Sequence, residues 1–435
     1  GDRRYPLLRT ERRRFQNWRV LVLSRDDGAT YRAGYPPPTV DEVRAGMDPG
    51  TVLLSYFVAA DHIDLLVLVA GGALTLHRLE VDEEELARHL AAVVPSAVEE
   101  PRGAVALRRR AVAAARDRAQ ESARWLFAHL IGPAERELAT ADRLLIVPDG
   151  PLARLPFGAL IRRGSSASET YLVEWKPLHV VHSAATYLAL LEGRRDNPRR
   201  VKSLLALGDP DYELPSAGGD RQGLRPAPVA VRLARERGML DGLARLPGTA
   251  PEVTEIGKLF TANGAAARVL LGARANEAAL KEGAIATYVH LAVHGFVDGE
   301  QPDHSFLALS LPETLREDDE NGILEAWEVV DNVRLDAELV TLSACETALG
   351  PERDGEGAMS LARAFQVAGA RSVLASLWQV DDAATSQLMI SFYRHLLAGS
   401  SKDVALRAAQ LELLRSPDLA SPYYWAAFQL NGDWR

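Results

Sequence analysis

Tyr288-Val289-His290-Leu291-Ala292-Val293-His294-Gly295 and Leu339-Val340-Thr341-Leu342-Ser343-Ala344-Cys345 share one pattern. Each is an apolar run of strand length that ends in a residue capable of acid–base or nucleophilic chemistry. Around them, further strands are expected at 267–271, 306–311 and 371–377, the two quoted runs themselves being placed at 287–293 and 338–343. Helical spacing of apolar residues covers 357–368, 383–398 and 402–415, and Trp425–Leu430, between Pro422 and Gly432, reads as a closing strand. Strands alternating with helices predict an α/β fold with a mainly parallel sheet covered on both faces.

In an open sheet of this kind, ligands bind at the carboxyl ends of the strands. If the two quoted strands are parallel neighbours, His294 and Cys345 emerge together at that edge. An imidazole beside a thiol accepts its proton or stabilises the thiolate, the form that attacks a carbonyl. Gly295 allows a carbonyl close to the backbone, where an N–H helps bind an oxyanion. Cys345 is the sole cysteine, so an intrachain disulfide is impossible and a reducing, cytoplasmic setting is expected. A lone cysteine is either a small buried hydrophobe or a reactive group.

The first part of the chain reads differently. Arg3, Arg4, Arg9, Arg12, Arg13, Arg14 and Arg19 crowd a stretch (1–46) expected to be a helix and a linker that includes Tyr35-Pro36-Pro37-Pro38; the basic cluster is expected to be a solvated face. Three strand-like runs follow, Val52–Ala59, Ile63–Ala70 and Ala73–Leu79, broken by Ala60-Asp61-His62 and Gly71-Gly72. Helices are expected over 82–95 and 104–130, then strands at Arg143–Pro148, Leu178–Val181 and Ser203–Leu207. Residues 209–247, rich in Pro, Gly and Arg, read as a long exposed connection that is cut or rearranged on activation.

A net charge of −9 argues against direct nucleic-acid binding, and no apolar run is long enough to span a bilayer. The start of the chain has no apolar signal core. Neither a Walker A pattern nor Gly-x-Gly-x-x-Gly occurs, and the absence of a Gly-x-Ser-x-Gly elbow weakens a serine-hydrolase reading. No His/Cys cluster suggests a metal, so no cofactor is expected. High Ala, Arg and Leu usage hints at a GC-rich bacterial source.

From His290 onward the sequence strongly resembles the CHAT family of caspase-like domains, often joined to tetratricopeptide repeats. The resemblance rests on His290–Gly295, on Leu342-Ser343-Ala344-Cys345-Glu346-Thr347-Ala348-Leu349-Gly350, and on Gly355-Glu356-Gly357 leading to Leu361–Phe365. It continues through Ala368–Val373, Ser376-Leu377-Trp378-Gln379-Val380-Asp381-Asp382 and Pro422–Phe428. Upstream, Val147–Phe157 is similar too, so the likeness covers nearly everything after about residue 47. Val293 departs from the Thr of many relatives, next to the histidine but not at a reactive group. The histidine-to-cysteine spacing, 51 residues, also matches the caspase pattern.

The resemblance implies a non-catalytic caspase-like subdomain (47–200) and a catalytic one (201–435). It implies a cysteine endopeptidase with His294 as base or imidazolium, Cys345 as nucleophile, and an oxyanion hole from the N–H groups of Gly295 and Cys345. The partners implied are a protein substrate and a fused or bound sensor. A catalytically silent scaffold is the competing reading. Separases have Leu-Trp-Asp-Val-Thr-Asp where this chain has Leu377–Asp382, so by resemblance Asp382, with Asp381 beside it, binds substrate, favouring cleavage after Arg or Lys. The competing assignment for one of the two aspartates is the N-cap of the next helix. Bland readings are expected elsewhere: His290 in the core, His304 on a surface loop, Glu346 pointing away from the thiol, and Trp378 and Trp425 packing the sheet.

Overall fold

The structure is a computed structural model that describes residues 38–94, 105–164, 169–192, 202–212, 243–282, 285–298, 302–310, 321–343 and 356–435, with the backbone alone for 105–115, 192 and 356–360. The arginine cluster at 3–19, most of the 209–247 connection, Cys345 and Glu346 lie outside the described residues.

In chain order the strands are β1 (Thr51–Val58), β2 (Ile63–Val69), β3 (Leu74–Leu79), β4 (Arg143–Val147), β5 (Ile161–Arg163), β6 (Glu169–Tyr171), β7 (Leu178–Val180) and β8 (Ser203–Gly208). They continue with β9 (Ala266–Leu271), β10 (Tyr288–Ala292), β11 (His294–Phe296), β12 (Phe306–Ala308), β13 (Ile323–Glu325), β14 (Leu339–Leu342), β15 (Ser372–Ser376) and β16 (Phe428–Gly432). Eleven of them form one sheet in the order β3-β2-β1-β4-β7-β16-β15-β14-β10-β8-β9. The pairs β1–β4, β4–β7, β7–β16, β15–β14, β14–β10, β10–β8 and β8–β9 are parallel. The pair β15–β16 is antiparallel. Because β16 runs with β7 and against β15, the parallel strands of the first half point opposite to those of the second. Within the second half, β8, β9, β10, β14 and β15 therefore send their carboxyl ends to the same edge.

Covering helices explain why the central strands are buried along their whole length. We label the principal ones α1 (Val40–Gly46), α2 (Ala184–Glu192), α3 (Thr249–Ala262), α4 (Glu277–Glu282), α5 (Ala326–Asn332), α6 (Glu356–Val367), α7 (Asp382–Leu397) and α8 (Lys402–Arg415). Alternation along each strand splits the second-half core in two. Leu204, Tyr288, Leu339 and Leu374 meet Val253, Ile256 and Phe260 of α3, Leu388 and Phe392 of α7, and Leu406 of α8. Leu205, Val289, Val340 and Val373 meet Leu280, Val329 and Phe365 on the opposite face. Each fully buried side chain of this size contributes about 1.5–3 kcal/mol. The first half has its own clusters, with Val43 of α1, Met47 just beyond its end and Tyr187 of α2 on one face of β1 and β4.

Three sequence expectations are corrected. The strand at 306–311 is the short β12, which belongs to a separate three-stranded antiparallel sheet, β11-β12-β13. The strand at 287–293 ends at Ala292, after which the chain leaves the main sheet and His294 opens β11. The closing strand starts at Phe428, because Ser421 followed by Pro422 begins a helical turn that carries Trp425 into the core. The expected helix at 104–130 is α-helical over Val105–Leu126 and widens into a π-turn over Phe127–Ile131 just before Gly132-Pro133.

His179, in β7 at the seam between the halves, is fully buried, and burial pulls its pKa down to about 3. The unfolded chain then takes up a proton near pH 6.5 that the folded chain refuses. Stability from the neutral ring is complete above about pH 6.5 and declines as pH falls toward 3. His179→Leu should therefore flatten the fall of Tm between pH 6.5 and 4. An unchanged acid limb in the variant would contradict the assignment.

Candidate active site

The site grows from the carboxyl edge of β10 and β14. Their register pairs Tyr288 with Leu339, His290 with Thr341 and Leu291 with Leu342, a constant offset of 51 residues. At the ends of these strands stand Val293 and His294 on one side and Ser343 on the other, and all three line one pocket. Leu246, Thr249 and Glu252 approach from the start of α3, and Gln379, Asp382 and Thr385 from the start of α7. Gly248 precedes α3, and a Cβ there would lie 3.2 Å from the Asp382 Cβ, so its bare backbone lets the two helix starts meet.

His294 is 6% exposed and held on two sides. Its Nε2 lies 2.8 Å from the Ala244 carbonyl oxygen. A carbonyl only accepts, so Nε2 carries the proton and, in the neutral ring, Nδ1 is the basic nitrogen. The His294 backbone N–H donates to the Tyr212 hydroxyl (3.3 Å), which donates to the Ala308 carbonyl (3.2 Å). The Tyr212 ring packs against the imidazole, with ring centroids 5.3 Å apart. Gly295 is buried in β11 opposite Leu307.

Ala244 is itself anchored. The neighbouring Arg245 guanidinium bonds both carboxylate oxygens of Asp209, with Nε donating at 3.2 Å. Asp209 adopts φ 44°, unusual for a residue with a Cβ, and its N–H donates to the Thr249 hydroxyl (2.7 Å). Strand β8, the 243–249 segment and α3 are thereby tied together behind the histidine.

Beneath the pocket runs a buried polar chain. The Glu252 Oε1 lies 2.8 Å from His290 Nε2, the His290 Nδ1 lies 3.3 Å from the Tyr393 hydroxyl, and that hydroxyl lies 2.8 Å from Thr341 Oγ1. His290 is thus a fully buried, hydrogen-bonded core residue. His304 pairs with Glu325 on β13 (2.8 Å), which raises its pKa, and it does not line the pocket.

The two aspartates separate. Asp381 is the N-cap of α7, its Oδ1 accepting from the N–H groups of Ala383 and Ala384 at 3.0 Å each. Asp382 lines the pocket instead. Partial burial, followed by the nearby Asp381 and Glu252 charges, lifts its pKa, while His294 pulls the other way. Trp378 and Trp425 are core residues whose indole N–H groups donate to the carbonyls of Tyr423 and Ala420.

Sequence reasoning did not single out Tyr212, the Ala244 carbonyl, Glu252, Ser343 or Thr385. Glu252 left a trace: with Thr249, Val253, Ile256 and Phe260 it sits on the buried stripe of α3, where an acid needs a partner. Among the described residues, no group of three or more His, Cys, Asp or Glu side chains is placed to hold a metal ion, and no helix is long and apolar enough to cross a membrane.

Residues 120–433 match the CHAT domain model. Human tetratricopeptide repeat protein 28 is 28% identical over 340 residues, covering 70% of this chain and 12% of that protein. The mouse protein of the same name is 36% identical over 110 residues, 25% of this chain and 4% of that one. A solved structure of the Saccharomyces cerevisiae separase–securin complex superposes with a TM-score of 0.52 at 10% identity, covering 90% of this chain and 30% of that one. At that identity the likeness is one of fold, the caspase-like α/β arrangement with its large, mostly parallel sheet. The chain spans only a small part of these relatives. With a family model matched over more than two thirds of its length, this chain belongs to the CHAT domain family.

Proposed function

We propose that the chain is a cysteine endopeptidase in which His294 and Cys345 act as a dyad. The observation that carries this reading is the register of β10 on β14: the offset between paired residues, 51, is also the separation of His294 and Cys345 in the sequence. Cys345 follows Ser343, which already lines the pocket beside His294, by two residues, a reach of at most about 7 Å.

In this reading the Cys345 thiol passes its proton to His294 Nδ1 and the sulfur attacks the scissile carbonyl carbon. N–H groups of Gly295 and Cys345 receive the oxyanion. As the C–N bond breaks, His294 returns the proton to the leaving amine, and water then hydrolyses the thioester. The Ala244 carbonyl fixes the tautomer that this sequence of transfers needs. Asp382, on the pocket wall, is the group that binds a basic residue before the cut, while Asp381 holds the helix that presents it. The first half of the chain would be a non-catalytic caspase-like partner to this unit.

Regulation by a fused or bound sensor fits relatives named as repeat proteins and much longer than this chain. The 209–247 connection is the proposed point of control, because its described end, Ala244-Arg245, touches His294 and Asp209. Asp209→Asn tests the anchoring. The ion pair is half exposed at Arg245, so it contributes no more than about 1 kcal/mol, and kcat should fall by up to about fivefold with KM unchanged. A larger change in KM than in kcat would place the pair in substrate binding instead.

The experiment for the function itself is a cleavage profile on a peptide library, with Cys345→Ala as control. Cysteine-dependent cleavage supports the proposal. Its absence under conditions where the sensor region is present or replaced would leave a silent scaffold.

A further inference from the structure

The pocket beside His294 contains two buried hydroxyls, on Ser343 and Thr385. Ser343 Oγ and Thr385 Oγ1 have no hydrogen-bond partner among the described residues, although these residues are only 4% and 3% exposed. Buried polar groups are nearly always satisfied, and leaving one unpaired is costly. Both residues line the same pocket as two carboxylates, Asp382 and Glu252. Glu252 is 1% exposed and held at Oε1 by His290, itself backed by Tyr393 and Thr341, so this second acid is fixed before any ligand arrives.

We propose that Glu252, Ser343 and Thr385 are specificity-determining residues that make this pocket select a guanidinium over an ammonium. The carboxylates of Asp382 and Glu252 attract the positive charge. The two hydroxyl oxygens supply further acceptors around it. A guanidinium brings five N–H donors in a planar fork and can meet acceptors on several walls at once, whereas an ammonium brings three from a single point. An uncharged urea of the same shape keeps the fork but lacks the charge. The hydroxyls separate arginine from lysine, and the acids separate both from neutral residues. That the bound group precedes a scissile bond rests on the protease reading; the recognition itself does not.

The test uses the full chain with Cys345→Ala and measures the binding of labelled peptides that end in Arg, Lys or citrulline by fluorescence anisotropy. The Arg peptide should bind about tenfold or more tighter than the Lys peptide, with citrulline weakest. Adding Thr385→Val, which keeps the side-chain shape, or Ser343→Ala should bring Arg affinity down toward that of Lys and leave Lys nearly unmoved. Glu252→Gln should weaken both. Equal or tighter binding of Lys, no binding of either cation, or an Arg preference untouched by Thr385→Val would overturn the proposal. Turnover by the wild type is read separately. Arg-selective binding without cleavage of any peptide would keep the pocket and remove the protease; cleavage after Arg and Lys alike would do the reverse.

Discussion

Cys345→Ala and His294→Ala are each expected to reduce endopeptidase turnover by at least about three orders of magnitude. Nucleophile and base act as one unit, so removing either forfeits nearly all that the pair supplies. Neither change should unfold the chain. Among the described residues the His294 ring bonds one carbonyl at the sheet edge, and the cores on both faces of β10 are built from other side chains. The measurement is kcat on a cleavable peptide beside thermal unfolding of the same samples. Retention of more than a few per cent of turnover by either variant, with Tm preserved, would remove that residue from the chemistry.

The second large effect lies at the start of α7. Asp382→Ala is expected to lower kcat/KM for a peptide with Arg before the cut by about 10- to 150-fold, the range of a lost charge-assisted hydrogen-bond pair. A peptide with Asp at that position should be a poor substrate of the wild type, repelled by the same carboxylate. Asp381→Ala should behave differently, costing about 0.5–2 kcal/mol of stability as a lost N-cap and leaving the Arg preference in place. Acidification offers a second check. Asp382 binds a cation only when ionised, and its raised pKa means that affinity for Arg peptides should begin to fall at a higher pH than for an ordinary aspartate. Asp382→Asn should abolish that limb. Preference for Asp over Arg, or an Arg preference unaffected by Asp382→Ala, would reassign the pocket.

Much of this arrangement was legible in the sequence because the physical signals were local. Apolar runs of four to six residues ending at His294 and near Cys345, separated by helices with buried stripes, are what a sheet covered on both faces requires. Strand direction was less legible. The β16 segment carries the same apolar content whether it runs with β15 or against it, and the run that became β12 does not record which sheet it joins. The chain's departure at Val293 also escaped notice, since that residue is as apolar as those within β10.

The candidate site divides in the same way. His294 follows an apolar strand and Asp382 opens a helix, and such element boundaries attract attention in a sequence. The Ala244 carbonyl is main chain and leaves no side-chain signature. Tyr212 and Thr385 reach the site through folding across 82 and 91 residues from His294, with no shared motif. Of the two adjacent acids, only the helix geometry decides which caps and which faces the pocket.

The central claim, that His294 governs Cys345, is tested most directly by the pH dependence of alkylation at this single thiol. With one cysteine in the chain, every S-carbamidomethylcysteine located by peptide mass reports on Cys345. In the wild type the rate should rise with a midpoint well below the ordinary thiol value of about 8.5, and in His294→Ala the midpoint should return to about that value. The same midpoint in both proteins would contradict the account.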